Sequence, residues 1–423
     1  MKSIQNLPKP MVILIIASLF VTSCQATKQI SSKDLASTAA VQTVTAMALI
    51  PPTATASPLS SATPAASPTA AVSATPTAAP ATATPTITPT PLPVAVGPTN
   101  FPTNVDPLTG LVVADPTLLN RRPVMIKVAN YPATGRPHAG LSMADIVFEY
   151  WIGEGANRFL ALYYGQNSSQ VGPMRSGRLV DAQLVPMYQG ILGFVSAYAP
   201  IFYKLTSTLG KRAITEAPAT CPGICDNGQH TVISVFADTK ALSEYATKIG
   251  VDNTRQNLDG MRFDPAIPQG GKPGTDLLVQ YSFYNRGEWR YDPTSGTYLR
   301  WIENVDAKNN LTMIPLTDRD TNKQLAFDNV VVLFAYYIQY APTEQDVTVK
   351  DNTTGRRAIL FRDGVAYEGT WKSVGGTKPI EFFTSNGQPM PFKPGNSWFV
   401  ITGINSTFDQ TDPGKWEMKF NLP

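Results

Sequence analysis

From Val41 to Asn100 the chain carries no charged side chain, only Ala, Thr, Pro and Ser with scattered aliphatics. That stretch limits what everything else can be. A segment of this composition cannot bury enough apolar surface to offset its conformational entropy, so it adds nothing to a core. Prolines at Pro64, Pro68, Pro76, Pro80, Pro85, Pro89, Pro91 and Pro93 bias it toward extended polyproline II at about 3.1 Å per residue. Residues 24–100 are therefore expected to be a disordered stalk, reaching on the order of 200 Å at full stretch. The Ser/Thr-with-Pro composition suits O-glycosylation or a bare spacer equally. Roughly three hundred residues remain for folded structure, enough for two cores.

Upstream of the stalk lie Lys2 and Lys9, an apolar run from Met11 to Val21, and then Val21-Thr22-Ser23-Cys24. A basic start, a short apolar run and small residues form a signal-peptide layout over residues 1–23. The run falls short of the ~18 residues a spanning helix needs. The cysteine after small residues resembles the lipobox of bacterial lipoproteins, in which the thiol is acylated. That implies Cys24 as a lipid tether to the cell membrane, with the head on the extracytoplasmic face. An uncleaved anchor, or a secretory signal with an incidental cysteine, are the other readings. The net charge of +3 is spread without any Lys/Arg run, which indicates no nucleic-acid partner.

The folded part reads as α+β, a mixed α/β domain over residues 101–270 followed by a mainly antiparallel β domain over 271–423. Turn chemistry at Asp106-Pro107-Leu108-Thr109-Gly110 opens it. Val124 to Val128 predicts a strand. Ile146 to Trp151 and Phe159 to Tyr164 predict a hairpin around Gly153-Glu154-Gly155-Ala156-Asn157. A helix is expected from Leu179 to Tyr188, shortened or kinked by Pro186 and capped by Ser176. A strand from Ile191 to Ala197, a helix from about Ile201 to Leu209 and a strand from Thr231 to Phe236 follow. The Pro/Gly-rich stretch from Pro268 to Gly274 marks the boundary. Beyond it come strands from Leu277 to Tyr284, Val330 to Tyr337, Arg357 to Arg362, Val365 to Trp371 and Trp398 to Thr402.

Candidate ligand-binding residues concentrate between Arg122 and Arg178: Asn130, Arg136, Asp145, Glu149, Glu154, Arg158, Arg175, Ser176 and Arg178. Arginines beside the free N–H groups of a helix's first turn suit an anion. Glu149 interrupts an apolar strand, so it is either solvent-facing or paired, because burying it alone would cost several kcal/mol. Three roles stay open for these carboxylates: a structural network with the arginines, part of a ligand site, or acid and base for glycan cleavage. Cys221 and Cys225 are expected as a small-loop disulfide, with a metal site beside Asp226 and His230 or free thiols as the other readings. The chain has two histidines, His138 and His230, and neither a G-x-S-x-G, an S-x-x-K nor an H-E-x-x-H motif. No catalytic residue, metal or cofactor is therefore assigned.

The ordered run of Asp106 to Gly110, Arg122-Pro123, Asn130, Arg136-Pro137, Gly140-Leu141-Ser142, Ala144 to Val147, Glu149, Glu154-Gly155, Arg158 to Ala161 and Gly172-Pro173-x-Arg175-Ser176-x-Arg178 resembles the YerB family of bacterial lipoproteins. The resemblance implies a lipobox, a linker and a two-part extracytoplasmic domain of unassigned biochemical function. Ser196-Ala197-Tyr198-Ala199 departs from the histidine that it implies after the strand at Ile191. The expectation is a binding or regulatory protein of the bacterial cell envelope, engaging a cell-wall polymer or a wall-synthesis partner. The alternative is a carboxylate-dependent envelope hydrolase or transferase using Asp145, Glu149 or Glu154.

Overall fold

The computed structural model of the chain describes residues 90–91, 94–341 and 344–422. Cys24 and the expected leader and stalk, as far as residue 89, lie outside the described residues. Residues 94–100, expected in the linker, already take part in the fold. Val96 exchanges two backbone hydrogen bonds of 2.8 Å with Phe263.

A mixed sheet forms the spine. Its strands run in the spatial order Ala213–Thr215, Ile191–Phe194, Val124–Ala129, Ala156–Tyr163, Ile146–Gly153, Ser397–Gly403, Asn329–Ala341, Arg356–Arg362, Val365–Lys372 and Glu381–Thr384. The central strands are apolar runs buried along their whole length, as strands covered on both faces should be. The expected hairpin is present, turning at Glu154 and Gly155, both with positive φ. Ser397–Gly403 pairs in parallel with Ile146–Gly153, so the segments on either side of residue 270 share one sheet.

A second sheet of Leu311–Pro315, Thr297–Val305, Asn285–Asp292, Lys272–Ser282, Gly414–Lys419 and Thr407–Asp412 packs on the first through aromatic edges. Trp289 meets Trp398 with ring centroids 5.2 Å apart, and Phe361 meets Trp416 at 6.1 Å. Such contacts add about 0.5–1.5 kcal/mol beyond the area they bury.

The described residues are mainly β with few helices, so the α+β expectation holds only in part. Among the described residues there are three α-helices, Asp181–Met187, Ala199–Leu209 and Thr239–Lys248. The first is only seven residues long, with Pro186 inside it. Its cap is not Ser176, whose hydroxyl instead meets that of Ser196 at 3.1 Å. Asp181, the first residue of the helix, accepts from the Arg178 N–H ahead of it at 2.7 Å, and the N–H of Val180, at the N-cap, donates to Asp346 at 3.0 Å. The strand expected over Thr231 to Phe236 is also shorter and later, Val235–Ala237, because a turn closed by Ser234 and Asp226 occupies its first half.

Alternation within the hairpin decides where the charges go. Glu149 stands opposite Phe159 and Tyr150 opposite Arg158, so Glu149 and Arg158 leave opposite faces of the sheet. The Glu149 face is covered by the second sheet. The Arg158 face also carries Lys127, two residues from Ala129, the partner of Arg158, and it is covered by Asp181–Met187 and the segment leading into it.

Candidate functional site, a cavity lined by unpaired arginines

The segment 173–177 is bonded along its length. Ala129 N–H donates to Pro173 O, Arg175 N–H to Lys127 O, Val195 N–H to Arg175 O and Gly177 N–H to Ser196 O, at 2.8–3.2 Å. The Arg175 and Arg178 side chains are thereby delivered beside Arg158. The three guanidiniums find only carbonyls: Arg158 donates to Asn157 O, Arg175 to Val232 O, both at 3.4 Å, and Arg178 to Gly177 O at 3.0 Å. Among the described residues none of the three has a carboxylate within ion-pair distance. Arg158 is 7% exposed, and its Nε, like that of Arg175, is buried with no hydrogen-bond partner.

Burial, followed by the charges of Arg178 and Arg175, pushes the Arg158 guanidinium down to about 9. Burial and Arg178 push Arg175 down as well. These groups repel one another and stay protonated at neutral pH. Arg158 and Arg178 line a cavity of about 320 Å³ with Ser176, Glu154, Tyr198 and Tyr340, among others; Arg175 does not line it, but its charge reaches Arg158. That volume is the lower end of the range for small-ligand sites, roughly 300–1,000 Å³.

Behind the cavity lies a buried cluster. Lys127 Nζ is 3.2 Å from Asp181 Oδ1, and the Tyr150 hydroxyl contacts both. Burial lowers the Lys127 ammonium to about 7, with Asp181 opposing that shift. Asp346, pushed up to about 7 by burial, accepts from Val180 N–H at 3.0 Å. Asp181 is thus engaged by Lys127, Tyr150 and the Arg178 backbone, and it holds the arginine loop without neutralising its side chains.

The sequence-predicted residues divide between two settings. Glu154, Arg158, Ser176 and Arg178 line the one cavity, with Arg175 beside them. The others lie elsewhere. Glu149 is 3.1 Å from Arg300, each 1% exposed, and accepts from Trp398 Nε1 at 2.7 Å and from Asn157, which is bonded to Asn130. Asp145 accepts the backbone N–H groups of Tyr164 and Gly165. Arg136 pairs with Glu303 at 2.7 Å on the wall of a different cavity, of about 610 Å³. Cys221 and Cys225 are bonded to each other. His138 is buried with Nε2 2.7 Å from Ala129 O, and burial drives it down to about 3, so it stays neutral.

The sequence reading missed Lys127, Tyr150, Asp181, Tyr198 and Tyr340. Lys127 had a signal, a lone charge in an apolar strand, the same mark that singled out Glu149. A larger cavity, about 940 Å³, holds Arg262 and Glu368. Those two are already paired, with Asp264 at 3.4 Å and Arg357 at 2.6 Å. Lys272 also lines that cavity, but is exposed and lies over the Trp416 ring; what distinguishes the smaller cavity is a buried guanidinium, Arg158, with no carboxylate in ion-pair reach among the described residues.

A family model described as the N-terminal domain of a protein of unknown function (DUF3048) matches residues 108–252, and the C-terminal domain of the same family matches residues 277–399. The chain is similar to a protein of Bacillus subtilis (strain 168) named "Putative lipoprotein YerB". The two are 27% identical over 307 residues, 70% of this chain and 85% of that one. The crystal structure of YerB from Bacillus subtilis has the same fold, with a TM-score of 0.58 at 24% identity over 70% of this chain and 96% of the other.

Proposed function

We propose that this chain, which belongs to the YerB-like family of proteins of unknown function, is a lipid-anchored binding or regulatory protein of the cell envelope whose head takes an anionic ligand at Arg158, Arg175 and Arg178. The observation that carries the reading is the arginine cluster with no carboxylate in ion-pair reach among the described residues. Guanidiniums that are unpaired, partly desolvated and mutually repelling are unfavourable alone, and an entering anion relieves them through charge-assisted, bidentate hydrogen bonds. Cys24 would tether the protein by its acyl chains, and residues 24–100 would carry the head outward to a cell-wall polymer or a wall-synthesis partner.

The hydrolase alternative draws less support. Glycan cleavage by carboxylates takes two of them about 5–9.5 Å apart. Asp145 and Glu149 are buried in bonds of their own, which leaves Glu154 alone at the cavity.

A pull-down from solubilised membranes and wall fragments tests the reading, with wild type against Arg178→Ala. The variant is expected to lose the polymer or partner that wild type retains. Equal retrieval by both would dismiss the cavity as the contact surface. Release of labelled product from peptidoglycan, abolished by Glu154→Gln, would establish the enzyme instead. Fatty-acid labelling lost in Cys24→Ser checks the tether.

A further inference from the structure

We infer that the anion is a dianionic phosphate monoester carried on a sugar, a glycosyl phosphate, and not a carboxylate or a bare inorganic ion. This rests on the anion-site reading above and deepens it. The charge count comes first. Arg158 and Arg178 line the cavity and Arg175 adds a third positive charge nearby, while among the described residues the carboxylate lining it is Glu154, exposed at the apex of the hairpin turn. Behind the wall Lys127 and Asp181 offset each other, and Asp346, pushed up to about 7, adds a partial negative charge. The excess therefore lies between about one and two positive charges. A single carboxylate matches only the lower figure, while a phosphate monoester carries about −1.5 to −2 at neutral pH and offers three acceptor oxygens to planar guanidinium forks.

The rim supplies the second part. Tyr198 and Tyr340 line the cavity and are 59% and 41% exposed. Tyr198 leads into helix Ala199–Leu209, and Tyr340 closes an alternating exposed row with Tyr336 and Ile338 on strand Asn329–Ala341. Exposed tyrosines beside a polar pocket suit a ligand with an apolar ring face and hydroxyl edges, since each ring offers an apolar body and a polar tip. At about 320 Å³ the cavity is sized for one such unit, with any further chain passing out between the tyrosines.

The test is calorimetric titration of the purified full-length protein with glucose 1-phosphate, glucuronate and inorganic phosphate. Glucose 1-phosphate is expected to bind about tenfold or more tighter than either of the others, since charged forks and ring contacts act together. Tyr198→Ala should reduce glucose 1-phosphate to the level of inorganic phosphate while leaving inorganic phosphate unchanged. Arg178→Ala should weaken both phosphates about tenfold, with Arg178→Lys between it and wild type because charge without the fork is retained. Circular dichroism confirms that each variant is folded.

Glucuronate binding as tightly as glucose 1-phosphate would overturn the phosphate assignment and leave the anion site standing. An unaltered glucose 1-phosphate affinity in Tyr198→Ala would overturn the sugar. Equal retention of wild type and Tyr198→Ala on phosphatidic acid vesicles, with no binding of glucose 1-phosphate, would assign the phosphate to a lipid headgroup and also overturn it. Silence toward every anion would remove the site altogether.

Discussion

Two faces of one hairpin bury charge in opposite ways. On one, Glu149 meets Arg300, Trp398 and Asn157, and Arg300 lies 4.8 and 5.2 Å from the rings of Trp289 and Trp398. On the other, Arg158 is nearly as buried, yet it meets two further arginines and a carbonyl. The first arrangement is complete within the chain and joins residues 149 and 300 across the two sheets. The second is complete only with something added. A third site separates the two ways out of like-charge repulsion. Asp106 and Asp145 are buried together: burial pushes Asp106 up to about 7, and burial followed by the charge of Asp106 pushes Asp145 upward. Carboxylates relieve that repulsion by taking a proton. Guanidiniums hold theirs at neutral pH, so an arginine cluster has to be relieved by an ion.

The strongest test of this contrast is Glu149→Gln, which leaves Arg300 buried and without its counter-charge. Removing one partner of a buried pair costs about 3–5 kcal/mol, and urea unfolding should show that loss as a lower midpoint at unchanged slope. The double variant Glu149→Leu with Arg300→Met should regain most of it, because similar volumes of apolar side chain replace the pair. Glu149→Gln unfolding like wild type would erase the distinction between the two faces.

Next in size is the carboxylate pair, read through pH. A carboxyl whose folded pKa is raised from 3.8 to about 7 binds its proton more tightly when folded. Its contribution to stability is full below about pH 4 and is lost as pH rises through 7. Asp106→Asn removes that dependence. The variant's stability relative to wild type should therefore climb by on the order of 3 kcal/mol between pH 4 and pH 8. His138, held down to about 3, acts in the opposite sense below its ordinary value, but it is common to both proteins and cancels. A difference that stays flat with pH would mean that the pair is not protonated in the native state.

Much of this was legible in the sequence, and the illegible part has physical causes. The hairpin followed from two apolar runs around a glycine-rich turn. That Glu149 must be solvent-facing or paired followed from desolvation alone, but its partner Arg300 lies 151 residues away, beyond the reach of local pattern. The insertion of Ser397–Gly403 beside Ile146–Gly153 was hidden for the same reason: strands buried on both faces read as plain apolar runs with no record of their neighbours. The helix expected after Arg178 was longer than the one found, because the apolar stretch fits a helix by period while Pro186 stands inside it, and helix Thr239–Lys248 was not expected at all. The arginines were visible as a cluster. That Arg136 would be matched by Glu303 and the other three left open required the fold.

The smallest expected effects on stability fall at the cavity, and there the sign matters more than the size. Arg158→Met keeps the apolar stem but removes one charge from a set of three and one unbonded Nε. Stability should rise by about 1 kcal/mol at low ionic strength, and the gain should shrink as salt screens the remaining pair. Arg178→Ala, more exposed, should leave stability within about 0.5 kcal/mol of wild type while lowering anion affinity. A substitution that improves the empty protein and damages its binding is what a site held open at a cost in stability produces. Destabilisation by Arg158→Met, comparable to Glu149→Gln, would place Arg158 in the structural network after all and make the two faces alike.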